Sequence, residues 1–114
     1  MSRTYRATVR GRFADLTAAQ RERLREEQGA HDMFAARFSP EGTFLYAPEL
    51  VGYQFRYLLD VDEASPEEAD LAARMEAEEL AEAHIGERGY QGRITDVSLV
   101  CVEDVKIRKG KSRT

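Results

Sequence analysis

The chain has 114 residues, of which 42% are hydrophobic and 33% charged, and a formal net charge of −4. That length suffices to bury one core without a structural metal. No apolar run approaches the roughly 20 residues of a membrane-spanning helix, and no secretory signal precedes the first strand pattern, so we expect a cytoplasmic protein without membrane contact. A single cysteine, Cys101, excludes an internal disulfide, and its apolar neighbours predict a buried, unreactive thiol.

Alternating residues predict a first strand near the start of the chain. Its apolar positions are Tyr5, Ala7, Val9 and Gly11, and its polar positions are Arg6, Thr8, Arg10 and Arg12. Because neighbouring side chains of a strand point to opposite faces, this strand should have an apolar inner face and a basic outer face.

A capping box predicts where the first helix begins. Thr17 and Gln20 have the spacing at which each side chain satisfies the other's backbone N–H, with Leu16 just before them. The helix should extend to about Gln28, and Gly29 should end it in the left-handed conformation. Its apolar stripe is narrow, so we expect it to be the less firmly docked of the two predicted helices.

Two short strand-like runs, residues 34–38 and 43–46, follow the helix. They are separated by the sequence Ser-Pro-Glu-Gly at positions 39–42, which has proline at the second turn position and glycine at the last. This pattern predicts a small hairpin, and therefore one short strand in addition to the main ones.

The strongest strand pattern covers residues 51–61. Its apolar positions are Tyr53, Phe55, Tyr57, Leu59 and Val61, which alternate with Gln54, Arg56 and Asp60. The stretch GYQFRY at positions 52–57 is similar to the aromatic motif of RNA-recognition motifs, in which the aromatic side chains face RNA. That orientation would bury Arg56 without a partner, at a cost of several kcal/mol. We therefore predict that the aromatics face the helices, and weak RNA binding remains a disfavoured alternative.

The second helix should begin after Ser65, with Pro66 in its first turn, and end before Gly89. Small residues recur along one side of it and would let it approach the sheet closely: Ala69, Ala73, Ala77 and Ala81. Apolar residues on the far side, among glutamates, should be exposed: Leu71, Met75 and Ile85.

The last strand should cover residues 93–102, and it is apolar on both faces toward its end, which is typical of a central or covered strand. The order of elements predicts an α+β fold of the ferredoxin-like βαββαβ type. Its antiparallel sheet would carry two helices on one face and an extra short hairpin strand. We expect one domain over residues 1–107 and a basic, disordered tail over residues 108–114.

No catalytic motif is present. The chain lacks a nucleophile elbow, a phosphate-binding loop and any cluster of cysteine and histidine at metal-ligand spacing. His31 and His84 each fall near the end of a predicted helix, where a structural role is the simpler interpretation. We therefore predict no catalytic residues, no metal and no cofactor, and we favour a protein that is not an enzyme.

The outer face of the predicted sheet is the candidate functional surface. With the aromatics inside, it combines three basic residues, Arg6, Arg10 and Arg56, with three apolar residues, Leu58, Val100 and Val102. The apolar residues favour a homodimer that packs sheet against sheet. The arginines leave open an alternative function, which is the binding or turnover of a small anionic ligand.

Short motifs along the whole chain support one further comparison. They are Tyr5-Arg6 through Val9-Arg10-Gly11, Leu16-Thr17 to Arg21, Phe38 through Pro40-Glu41-Gly42-Thr43, Phe55-Arg56-Tyr57, and Glu87-Arg88-Gly89-Tyr90. Together they resemble a family of short actinobacterial proteins classed as a domain of unknown function. The resemblance implies a single compact domain of ferredoxin-like order and transfers no activity or catalytic residue.

Overall fold

Four strands and two helices occupy residues 2–31 and 37–103, which are the residues that the computed structural model describes. In chain order they are β1 (Ser2–Ala14), α1 (Ala18–Glu27) with a 3₁₀ turn after it (Gln28–His31), β2 (Thr43–Tyr46), β3 (Gly52–Asp62), α2 (Pro66–Glu87) and β4 (Gln91–Cys101). The strands form one antiparallel sheet in the order β2-β3-β1-β4. The predicted α+β class, with an antiparallel sheet and two helices, is confirmed.

The two faces of the sheet are assigned as the alternation predicted. Tyr53, Phe55 and Tyr57 are at most 4% exposed, whereas Gln54 and Arg56 between them are only partly buried. On the inner face, the β3 aromatics lie in one core with Leu24 of α1 and with Ala77 and Ala81 of α2. Both helices therefore pack on this face.

Small residues bring α2 close to the sheet. Its four alanines at four-residue spacing are at most 1% exposed: Ala69, Ala73, Ala77 and Ala81. Ile85 continues the same stripe one turn later and is 5% exposed, so its predicted exposure is wrong. Leu71 and Met75 are exposed as predicted.

The start of α1 and its predicted end near Gln28 are confirmed, but the left-handed stop at Gly29 is wrong. The Thr17 and Gln20 side chains form the capping box, with hydrogen bonds of 2.8 and 3.1 Å. Gly29, however, does not have a positive φ, and the chain continues through a 3₁₀ turn to His31. Contacts with β2 account for the extra turn, because His31 Nδ1 lies 3.0 Å from the Phe44 carbonyl oxygen and its ring packs on the Phe44 ring.

The turn at residues 39–42 is confirmed. The Gly42 N–H donates to the Ser39 carbonyl at 3.2 Å, and Gly42 has a φ of +92°. Of the predicted extra strand, residues 34–36 lie outside the described residues, and residues 37–38 are not in a strand. Ser39 instead forms an isolated parallel bridge with Tyr57. Among the described residues, the antiparallel partner of β2 is β3.

The last strand is not central, which was one of the two alternatives, central or covered, that its apolar end indicated. Its neighbour in the sheet is β1 alone, so β4 is an edge strand and not a central one. One of its edge carbonyls, that of Val97, accepts a hydrogen bond of 2.8 Å from Arg74 Nη1. A charged side chain at this position disfavours the pairing of this edge strand with a strand of another chain. Residues 104–114, which include the predicted basic tail, lie outside the described residues.

Candidate functional site: the open face of the sheet

The face of the sheet opposite the helices brings five of the six predicted site residues together. The pairing of β3, β1 and β4 arranges its central side chains in three rows: Leu58, Arg6 and Val100; Arg56, Thr8 and Ser98; Gln54, Arg10 and Asp96. Val102 is the sixth predicted residue, and it lies just past the last residue of β4 and is partly buried.

The first row combines apolar surface with a cation, Arg6. Val100 is 42% exposed and Leu58 is partly buried, and they lie on either side of Arg6. Arg6 has no hydrogen-bond or ion-pair partner among the described residues. Its aliphatic stem can cover the neighbouring apolar side chains while its charged end remains in water.

Arg10 is held by its neighbours on β4. Its Nη1 donates to Asp96 Oδ2 at 3.1 Å and to Ser98 Oγ at 3.0 Å. Both members of the ion pair are about half exposed, so solvent screening limits its contribution to stability to roughly 0–1 kcal/mol. The pair nevertheless neutralises one of the three arginines.

Arg56 is also engaged. Its Nε and Nη2 both donate to Gln54 Oε1 at 3.3 Å, and its guanidinium lies 5.6 Å from the centre of the Phe38 ring. No residue pattern indicates this contact of Phe38, because it depends on the turn into β2, which places Phe38 beside β3.

The three arginines do not surround one small cavity. Arg6 and Arg10 are four residues apart on β1, which corresponds to about 13 Å along a strand. A cavity of about 340 Å³ lies beside Arg10 and Gln54, but Glu49 also lines it, and neither Arg6 nor Arg56 does. The geometry is that of an extended, mixed apolar and polar face.

Leu45 of β2 is a feature of this face that residue patterns had not identified. It pairs with Gln54, so its parity places it on the open side, yet it is 1% exposed. Its position between Phe44 and Tyr46, which face the core, was the feature of the sequence that could have indicated its burial. The exposed part of the face is therefore formed by β3, β1 and β4.

Among the described residues, no three His, Cys, Asp or Glu side chains are grouped so as to hold a metal ion. In the same part of the chain, neither helix is long and apolar enough to cross a membrane. Cys101 is 7% exposed and its thiol lies 3.4 Å from Glu103 Oε2.

Comparison with known proteins gives one match. The model of a family of unknown function, DUF6204, matches residues 1–113. No curated protein and no solved structure matches the chain.

Proposed function

We propose that the chain, which belongs to the DUF6204 family of unknown function, is a non-enzymatic interaction module that forms a symmetric homodimer through the open face of its sheet. The observation that carries this proposal is the first row of that face. Val100 and Leu58 present apolar surface on the side that neither helix covers, and Arg6 lies between them without a described partner.

A two-fold arrangement suits the distribution of charge on this face. Around the apolar row lie both signs, since Asp60 and Asp96 are exposed on the same side as Arg6 and Arg10. In a symmetric dimer each patch meets its own copy, so a basic position on one copy can lie opposite an acidic position on the other. Removal of the apolar row from water would contribute about 25 cal/mol for each Å² that is buried.

The fold supports the proposal at a coarser level. The element order βαββαβ and the sheet order β2-β3-β1-β4 support a ferredoxin-like assignment, in which one face of the sheet is left without helices. A free Cys101 thiol that is largely buried is consistent with the reducing cytoplasm.

Val100→Asp tests the proposed interface. We expect the wild type to show twice the monomer mass by light scattering at micromolar concentration, and the variant to shift toward monomer because it places a charge in the apolar row. Leu71→Asp is the matched control, since Leu71 is 60% exposed on α2, and it should leave the dimer intact. A monomeric wild type, or a dimer that only Leu71→Asp dissociates, would reject this interface.

Binding of a small anion at Arg6, Arg10 and Arg56 is the second candidate. It is favoured by Arg6, which has no partner among the described residues, and by the cavity beside Arg10. Inorganic phosphate at constant ionic strength distinguishes the two functions. The dimer proposal predicts no change in melting temperature, whereas a rise that Arg6→Gln abolishes would favour the ligand site.

RNA binding is the weakest candidate. The side chains that would have to stack on bases, Tyr53, Phe55 and Tyr57, are at most 4% exposed.

A further inference from the structure

A second group of polar side chains surrounds a small cavity on the helix side of the sheet. The cavity measures about 220 Å³ and is lined by Glu41, Gly42, Phe55, His84, Glu87 and Arg88. These residues come from the turn at 39–42, from β3 and from the end of α2. The site is therefore separate from the open face of the sheet.

His84 is held in a defined orientation at the wall of this cavity. Its Nδ1 lies 2.7 Å from the hydroxyl oxygen of Tyr57, a residue that is 0% exposed. Burial raises the pKa of Tyr57, so the phenol keeps its proton and can donate it to Nδ1 of His84. In that arrangement an imidazole N–H lies on Nε2, for which no described residue is an acceptor.

The turn at residues 39–42 places Glu41 at the cavity, and Gly42 in the same turn packs directly against the Tyr57 ring. A Cβ atom at Gly42 would lie 2.3 Å from Cε1 of the Tyr57 ring, and the φ of +92° is one that other residues rarely adopt. Only glycine allows the chain to approach this closely, so the tyrosine that orients His84 also supports the turn.

Arg88 lies at the same cavity. Its guanidinium stacks on Phe44, with Cζ 4.5 Å from the ring centre, and its carbonyl oxygen accepts a hydrogen bond from Arg23 Nη2. Within residues 2–31 and 37–103, Arg88, Glu41 and Glu87 form no ion pair with one another or with any other side chain.

The cavity therefore offers complementary groups for two opposite charges. Arg88 and His84 Nε2–H are donors for a carboxylate, and Glu41 and Glu87 are acceptors for an ammonium group. A volume of 220 Å³ equals that of about seven water molecules at roughly 30 Å³ each, which is the size of a small amino acid. We propose that this cavity binds a small zwitterionic molecule of amino-acid size.

Three matched probes test the proposal: L-leucine, 4-methylpentanoate, which keeps only the carboxylate, and 3-methylbutylamine, which keeps only the ammonium group. The readout is the imidazole ¹⁵N and ¹H resonances of His84 in labelled protein. We expect L-leucine at millimolar concentration to shift them, and each singly charged probe to bind at least about tenfold more weakly. His31, whose Nδ1 lies at the Phe44 carbonyl, is an internal control that should not shift.

Two variants examine the roles of individual residues. Arg88→Gln should weaken the binding of L-leucine by about tenfold or more, and Arg93→Gln on β4 should leave it unchanged. Tyr57→Phe keeps the ring and removes the hydroxyl that contacts His84. In this variant without ligand, the ¹⁵N shifts of His84 should report a mixture of tautomers. Thermal melting checks that the variant is folded. The proposal is overturned if none of the probes shifts His84, if 4-methylpentanoate binds as tightly as L-leucine, or if Arg88→Gln binds like the wild type.

Discussion

Phe55 and Arg56 are adjacent in β3 and face opposite sides of the sheet. The loss of stability when each is truncated to alanine therefore tests which face of β3 is buried. Phe55 is 2% exposed and its ring packs on four others, with centroid distances of 5.0 Å to Phe44, 5.8 Å to Tyr53, 5.9 Å to His84 and 6.0 Å to Tyr57. Phe55→Ala removes this burial and leaves a cavity, so it should lower the free energy of unfolding by about 3–5 kcal/mol.

Arg56→Ala should cost about 1 kcal/mol or less. The side chain is partly exposed, and truncation removes two long hydrogen bonds to Gln54 and a distant contact with the Phe38 ring. Urea denaturation followed by circular dichroism gives both values. A larger loss of stability in Arg56→Ala than in Phe55→Ala would refute this assignment of the faces, because Arg56 would then face the core and the β3 aromatics would be free to meet RNA.

Two further predictions concern backbone geometry and alkaline pH. Gly42→Ala should destabilise the fold by about 2 kcal/mol or more in thermal denaturation, because it adds strain at positive φ and a collision with Tyr57. Gly29 has open space around it and no positive φ, so Gly29→Ala should be neutral or slightly stabilising in the same assay. A large loss of stability in Gly29→Ala would instead support a left-handed helix end at this residue. Burial raises the pKa of Tyr5 and Tyr46 to about 12 from the ordinary 10.0, so the folded state holds protons that the unfolded chain releases. Stability should therefore be constant below pH 10 and fall between pH 10 and 12, by about 1.4 kcal/mol per pH unit for each such tyrosine; urea denaturation that showed no loss across this range would contradict the burial of these hydroxyls.

The faces of the sheet were predictable because period-two alternation in β1 and β3 is unambiguous. Arg56 could face only one way without a large desolvation cost, and the structure places it on the open side. The capping box at Thr17 was equally predictable, because it depends on residues only three positions apart.

Features that depend on distant contacts were not predictable. Gly29 is a good local stop signal, but the contacts of His31 with Phe44 hold a further turn. The apolar end of β4 is typical of a central or covered strand, and only the pairing of β1 with β3 on its other side shows that β4 lies at the edge.

The candidate site likewise has features that were predictable from the sequence and features that were not. Parity brought Arg6, Arg56, Leu58 and Val100 to one face, but it could not show that Asp96 and Ser98 hold Arg10. These partners lie more than 80 positions away along the chain, and only the sheet order brings them into contact.

Intermolecular contacts between methyl groups test the dimer most directly. A mixture of ¹³C-labelled and unlabelled protein allows nuclear Overhauser effects to be detected between copies alone. We expect such effects to connect the methyl groups of Leu58 and Val100 with those of the second copy, since both lie in the apolar row of the open face. A spectrum without intermolecular effects, or with effects confined to Leu71 and Met75 on α2, would contradict the account.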